Sequence, residues 1–392
     1  MKYHVSILDT DLYKLTTQFA VMSAFPRMKV RYEFINRDNR PFPDGFSIRL
    51  QKVIDNFRGL VLTKDQKNFV REKCYFLPPT YLDFLEGYRY DPSEVTIEQT
   101  GSVLKIAIEG FWYRTVLWET PIMECVSELY FEMTNYKTRM DRMEREKTNM
   151  KKAQGLAEIP VGYSEFGARR RFSYENQREV IGDLIKYGGG CILGTSNVHL
   201  AMEYNIPPMG TFPHEWVMAH AAVYGFSIAN EKALENWSSK IYEGDLGIGL
   251  VDTYTTDVFL RAFNTKYAKL FDGVRQDSGV PIEVAAKVVD HYKKLRINPA
   301  SKVCLFSDNL KSVEAIKEIH DFCKDKIIDR YGIGTWLSND VGVKPLNIVI
   351  KLTACNIGGH WVPTVKLSDN KTKHTGDPQT VSLCKQVLNI SG

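Results

Sequence analysis

The chain has 392 residues, of which 44% are hydrophobic and 25% charged, a balance that excludes a disordered or fibrous protein. It is long enough for two domains or for one barrel with an appendage. With 51 basic against 47 acidic residues the net charge is +4, too slight an excess to propose nucleic acid as the partner, whereas a small anionic substrate needs only local positive charge.

Seven cysteines (Cys74, Cys125, Cys191, Cys304, Cys323, Cys355 and Cys384) are scattered without CxxC or metal-type spacing. This argues against a disulfide framework and a structural zinc site, and makes reduced thiols in a cytoplasmic protein the expectation. The opening MKYHVSILDTDLYK has no apolar core of signal-peptide length, and no stretch reaches 18 uncharged apolar residues. A soluble protein without a membrane partner is expected.

In chain order, the first 140 residues mix short apolar runs, Lys29 to Ile35 and Val103 to Glu109, with a helical stretch around Tyr81 to Tyr88. They predict an α+β domain without regular alternation. From Val116 to Lys152 the pattern is helical, and the charged part from Tyr136 to Gln154 is read as a solvated helix face. After Ile159 short apolar runs alternate with amphipathic segments, as in βα units around a parallel sheet. The candidate strands are Val161–Phe166, Cys191–Gly194, Pro208–Thr211, Gly247–Asp252, Leu270–Val274, Val303–Ser307, Ile327–Ile333 and Asn347–Leu352. Eight runs predict an α/β fold, an irregular (β/α)8-type barrel over residues 141–354. A second α+β domain is built mainly from residues 1–140, and residues 355–392 are expected to pack back on it.

Chemistry in a barrel collects where strands end and helices begin. Those positions read Glu165-Phe-Gly-Ala-Arg-Arg-Arg171, Gly194-Thr-Ser-Asn197, Gly210-Thr-Phe-Pro-His-Glu-Trp216, Asp252-Thr253, Arg275-Gln-Asp-Ser-Gly279, Ser307-Asp-Asn309 and Gly332-Ile-Gly-Thr335. His214, between Pro213 and Glu215, has a fixed φ on one side and on the other a carboxylate expected to orient its ring. It is a candidate phosphoryl acceptor, although most of eight histidines in a chain are surface or satisfied interior groups.

Arg169, Arg170 and Arg171 cannot all point one way, so one or two are expected at the barrel mouth and the rest in ion pairs. Arg275 offers a second planar fork for carboxylate or phosphate. The turns holding Gly332, Gly334 and Thr335, and Thr195 and Ser196, present backbone N–H groups suited to phosphate, or are simply turns. No GxxxxGK[ST] loop occurs. Asp277 is a candidate for ribose hydroxyls, and Asp252 and Asp308 for a magnesium ion held through water. Tyr13, three residues beyond an expected helix cap, and Phe166 are candidates to sandwich a flat heterocycle.

The ordered series LDTDLYK (8–14), EFGARRR (165–171), LGTSN (193–197), GTFPHEW (210–216), VRQDSG (274–279), FSDN (306–309), GIGT (332–335), KPLNIVIKL (344–352) and KLSD (366–369) resembles the type II nicotinate and nicotinamide phosphoribosyltransferase family, nearly end to end. The resemblance implies that nicotinate and 5-phosphoribosyl 1-diphosphate give nicotinate mononucleotide and diphosphate, a salvage step towards NAD, coupled to hydrolysis of ATP. His214 is then the residue that becomes phosphohistidine. Arg169, Arg275 and Mg2+ neutralise the departing diphosphate, and Asp252, Ser278, Gly279, Ser307, Asp308, Gly332, Gly334 and Thr335 are expected to bind substrate. Phe166 stacks on the pyridine and Tyr13 approaches its other face from a neighbouring subunit, which implies a homodimer. Ser196 stands where nicotinamide-specific relatives carry aspartate, favouring the acid.

Two departures stand out. The familiar DSGDP reads Asp277-Ser-Gly-Val280-Pro281, so any role of the second acid is absent or supplied elsewhere. Pro213 also replaces a residue that is often small. Alternatives are a related enzyme using nicotinamide or another base, and a catalytically silent nucleotide-binding relative.

Overall fold

The computed structural model describes residues 3–135, 140–370 and 373–390. Eleven strands occur among them: β1 Lys29–Asn36, β2 Val95–Thr100, β3 Val103–Phe111, β4 Gly162–Glu165, β5 Ile192–Thr195, β6 Ile248–Leu250, β7 Gly273–Gln276, β8 Val303–Phe306, β9 Ile328–Ile333, β10 Ile348–Ile357 and β11 His360–Pro363. Six of them, β4 to β9, form a parallel sheet, and the other five a separate antiparallel sheet. The mixed α/β class expected from the alternation after Ile159 is what forms.

The chain divides into two compact units. The first comprises Met1–Phe19, Tyr32–Gly210 and Ile333–Ile350, and the second Ala20–Arg31, Thr211–Gly332 and Lys351–Gly392.

In the first unit β2 and β3 make a hairpin in register from Val95 opposite Ile108 to Thr100 opposite Val103. Leu104, Ile106 and Ile108 of β3 are buried while Val103, Lys105 and Ala107 face out, the period-two pattern of a sheet covered on one side. Burying each such aliphatic side chain stabilises the fold by roughly 1.5–3 kcal/mol. β4 and β5 pair in parallel, with Glu165 opposite Thr195.

The helix Arg142–Ala157 begins at a capping box of Asp141 and Glu144. Asp141, Glu144, Lys147 and Lys151 are exposed, the solvated face expected of residues 136–154, of which 136–139 lie outside the described residues. Arg142 and Arg145 pair with Asp183 and Glu179 on the helix Tyr174–Tyr187, and Lys152 is buried against Asp340. A dense run of charge in the sequence does not reveal that its counter-charges lie on the next helix.

In the second unit β6, β7, β8 and β9 pair in parallel in chain order. The helix Pro281–Lys294 shows how sequence sets such a crossover. Proline opens its first turn, Val284, Ala285, Val288, Val289 and Tyr292 form the buried stripe, and His291, Lys293 and Lys294 sit at the negative end of its dipole.

Two of the eight expected barrel strands fall elsewhere. Pro208 makes only an isolated bridge to Thr195, because consecutive prolines at 207 and 208 have no N–H to give a ladder. Of the expected Asn347–Leu352, all but Asn347 falls within β10, a strand of the antiparallel sheet, and the alternating burial of β10 is typical of that sheet type. An apolar run has the same look in either sheet.

Among the described residues no helix is long and apolar enough to cross a membrane. All seven cysteines are free, and all but Cys191 are buried.

Candidate active site

Two groups of chemistry-bearing side chains form, one in each unit. The first gathers around the segment Asp9 to Lys14 and the turns after β4 and β5. Gly167, in the turn after β4, leaves room for no side chain, since a Cβ there would lie 2.0 Å from Ser338 Oγ. Its N–H instead donates to Glu165 Oε1 at 2.6 Å, and Glu165 Oε2 accepts from the Thr195 hydroxyl at 2.7 Å and from Gln177 at 2.9 Å. Glu165 is thus a fully satisfied buried carboxyl that ties the two turns together.

On this frame Arg169 and Arg171 separate. Arg171 is fully buried: it donates to Asp9 at 2.8 and 3.1 Å and to the Tyr3 carbonyl at 2.8 Å, and lies 3.3 Å from Glu124. Burial alone would raise the Asp9 pKa, but the Arg171 charge overrides it and holds that carboxyl below the usual range. Arg171 is therefore a structural ion pair. Arg169 is more open, 38% exposed, with Nε 3.4 Å from Asp11 Oδ2 and Nη1 3.4 Å from Glu119 Oε1. Its guanidinium stands 5.8 Å from the centre of the Tyr13 ring.

Ser196 donates from its hydroxyl to Asp11 Oδ1 at 2.5 Å, and Asn197, capping the next helix, reaches Asp9 at 2.6 Å. Phe166 is half-buried, and its N–H donates to the Ile333 carbonyl at 2.7 Å. Within one chain Tyr13 and Phe166 make no ring contact. Gly334 and Thr335 open the short helix Thr335–Ser338, while Gly332 lies in β9 of the second unit. Glu119 and Asp11, which hold the other members together, were not singled out from the sequence. An acid beside an apolar helical run carries no signal of the residues it will touch.

The second group centres on His214, the first residue of the helix His214–Tyr224. Its Nε2 lies 3.0 Å from Asp277 Oδ2 and its Nδ1 3.0 Å from the Thr253 hydroxyl. The expected Glu215 is not a partner of the ring. Successive helical residues point about 100° apart, so the neighbouring carboxylate faces away and one from the end of β7 does the orienting. An ionised Asp277 can only accept, which assigns the proton to Nε2 and leaves Nδ1 to accept from Thr253. Burial, with the Lys366 cation beside it, pushes the His214 pKa down to about 4, so the ring is neutral at pH 7.

Asp277 is held well below the usual carboxylate range, since the positive charge of Arg275 and the bond to His214 outweigh its burial. It also accepts from the Ser307 hydroxyl at 3.0 Å. Arg275 donates to Thr211 at 2.7 Å, and its Nη2 is 3.9 Å from Asp277.

Asp252 is fully buried, with Oδ2 accepting from Ser278 at 2.5 Å and Oδ1 lacking a hydrogen bond 3.8 Å from His214 Nε2. Polar atoms of His214, Asp252 and Asp277 lie within 4.8 Å of one another, and with the proton on Nε2 it is the two carboxylates, one with a buried oxygen that has no hydrogen bond, that fit a hard cation. Asp308 instead pairs with Lys373 at 2.6 Å. Gly279 has φ +79°, and the carboxylate of Asp369, which accepts from the Thr256 N–H and hydroxyl, lies close beside it.

The chain matches the models of the nicotinate phosphoribosyltransferase family over residues 161–392 and of the nicotinate phosphoribosyltransferase N-terminal domain over residues 8–127. The chain belongs to the nicotinate phosphoribosyltransferase family.

Its likeness to other members of that family runs the full length. It is 49% identical over 385 residues to the nicotinate phosphoribosyltransferase of Desulforapulum autotrophicum, and 46% identical over 387 residues to that of Chromohalobacter salexigens, covering 98% of each chain in both cases. The crystal structure of nicotinate phosphoribosyltransferase from Porphyromonas gingivalis superposes with a TM-score of 0.95 at 44% identity, over 98% of this chain and 99% of that one. A putative nicotinate phosphoribosyltransferase from Saccharomyces cerevisiae follows at 0.93 and 32%, over 100% and 99%.

Proposed function

We propose that the chain forms nicotinate mononucleotide and diphosphate from nicotinate and 5-phosphoribosyl 1-diphosphate, in NAD biosynthesis, and couples this to ATP hydrolysis through a phosphohistidine at His214. Membership of the nicotinate phosphoribosyltransferase family supports the transferase reaction. The coupling rests on one observation: a buried imidazole at a helix start, neutral at pH 7, with each ring nitrogen fixed at 3.0 Å by Thr253 and Asp277.

Phosphoryl transfer needs a lone pair on the ring and an anion to stabilise the charge that develops as the N–P bond forms and the P–O bond to ADP breaks. Asp277 supplies that anion. The helix N-terminus and the Lys366 and Arg275 cations favour the phosphoryl dianion that results. Hydrolysis then breaks the N–P bond and restores the imidazole.

In the glycosyl transfer, diphosphate leaves C1 of the ribose and positive charge grows on the ring, so cations placed at the leaving group supply most of the catalysis. Arg275 suits that task, and Arg169 with Tyr13 suits the aromatic acid. Magnesium fits Asp252 and Asp277 better than the expected Asp252 and Asp308, because Asp308 is neutralised by Lys373. When bound, that ion would add further charge neutralisation of the diphosphate. In a homodimer Tyr13 would serve a neighbouring subunit's Phe166, so that the aromatic acid lies between the Tyr13 and Arg169 of one chain and the Phe166 of the other. Seven free cysteines, six of them buried, accord with a reducing cytoplasm.

The test is nicotinate mononucleotide formation with and without MgATP, with nicotinamide as competitor and γ-labelled ATP to follow the enzyme-bound phosphoryl group. Product from nicotinate, raised by ATP, with one label per chain that is lost in His214→Ala, is expected. A His214→Ala enzyme that still takes up one label per chain refutes the phosphohistidine assignment.

A further inference from the structure

The carboxylate of Glu119 touches both the ring and the cation of the first group, and nothing in the reaction as proposed above uses it. It opens the helix Glu119–Met133 and is 7% exposed. Its Oε2 accepts from the Tyr13 hydroxyl at 3.0 Å and from Lys14 Nζ at 2.5 Å, and its Oε1 lies 3.4 Å from Arg169 Nη1. We propose that Glu119 is a positioning residue that holds the Tyr13 ring and the Arg169 guanidinium as a preset cradle for an aromatic carboxylic acid.

A carboxylate that merely neutralised Arg169 would weaken its pull on a substrate anion. Here the tight partner of Glu119 is the fully buried Lys14, while the contacts of Arg169 to Glu119 and Asp11 are longer, 3.4 Å each. Asp11 and Glu119 balance Lys14 and Arg169 formally, so the cradle as a whole has no net charge to repel an anion. The anchoring carboxylates are 5% and 9% exposed while the guanidinium is 38% exposed, so the fork is presented with its anchors hidden. At 5.8 Å from the Tyr13 ring centre, the cation sits at the reach of an acid group on a small ring lying against that tyrosine. Orientation of both parts by one side chain removes ordering cost that the ligand would otherwise meet on binding.

This inference rests on the reading of nicotinate as substrate, and the experiment separates the two. Nicotinate binding is measured by calorimetry on the full-length enzyme, alongside kcat and the KM for 5-phosphoribosyl 1-diphosphate. Glu119→Gln is expected to weaken nicotinate binding about tenfold, the scale of one charge-assisted contact, with kcat at saturation and the other KM within about twofold. Glu119→Asp, which keeps the charge on Lys14, should restore part of the loss. In an Arg169→Ala background the effect of Glu119→Gln should shrink to under about twofold, because the group it positions is gone.

Should Glu119→Gln fail to fold, Tyr13→Phe combined with Glu119→Asp gives the same cycle without unpairing Lys14, and less than additive weakening is expected. Unchanged nicotinate affinity in these variants, or losses that persist fully without Arg169, overturns the inference alone. A wild-type enzyme that binds no nicotinate overturns the substrate reading and the inference with it.

Discussion

Asp277 Oδ2 lies 3.0 Å from His214 Nε2, so the carboxylate that orients the histidine is 63 positions away along the chain rather than next to it. Asp277→Asn should therefore be far more damaging to phosphoenzyme formation than Glu215→Gln. An amide can present its N–H to the ring and favour the wrong tautomer, an effect worth on the order of 10⁴ in rate in a Ser-His-Asp triad. Rapid-quench labelling with γ-labelled ATP is the measurement. Equal losses in the two variants would return the orienting role to Glu215.

Ser196 already holds a carboxylate, since its hydroxyl donates to Asp11 at 2.5 Å. Ser196→Asp therefore creates a carboxylate pair in contact in a buried position. We expect a loss of nicotinate turnover of at least about tenfold relative to nicotinamide, from repulsion of the acid, together with a lower melting temperature from the like-charge contact. Competition assays and thermal unfolding read the two effects separately. In Ser196→Ala the selectivity should move much less, because Arg169 remains in place.

Arg171 is the keystone of a buried cluster with Asp9, Glu124 and Glu128. Arg171→Met should destabilise the protein by about 3–5 kcal/mol, the range for stranding the partners of a buried ion pair, and urea unfolding measures it. The neighbouring Arg169→Met should cost under about 1 kcal/mol of stability, as befits a part-exposed ion pair, while removing substrate binding.

The buried His220 has a pKa near 4 rather than 6.5, through burial first; its Nε2 accepts from the Asn236 amide, which suits the neutral ring, while the bond that Nδ1 donates to the Trp216 carbonyl works in the opposite direction. The unfolded chain takes up a proton there at a pH where the fold does not. Its contribution is complete above about pH 6.5 and is lost as pH falls towards 4. Raised carboxyls, such as Glu128 at about 7, act with the opposite sign in part of that window, so the clean observable is a difference. Between pH 6.5 and 5, His220→Asn should lose roughly 1.5 kcal/mol less stability than wild type. Chemical denaturation at the two pH values checks this, and identical losses would show that His220 takes up its proton at the same pH in the folded and unfolded chain.

From the sequence alone come the class of the fold, the helical and strand runs after Ile159, and the residue types at the strand ends, because periodicity and strand-end chemistry are local properties of the chain. His214, Arg169, Arg275, Asp252 and Asp277 were legible for that reason, and so was the family resemblance. Tertiary structure decided who touches whom. It sent Arg171 inward to Asp9 and left Arg169 open, replaced Glu215 by Asp277 at the histidine, moved Ile348–Leu352 into the antiparallel sheet, and brought Glu119 to Tyr13 across 106 positions of chain. Burial and charge pairing depend on groups that meet only when the chain has folded, and no local pattern encodes the distance between them.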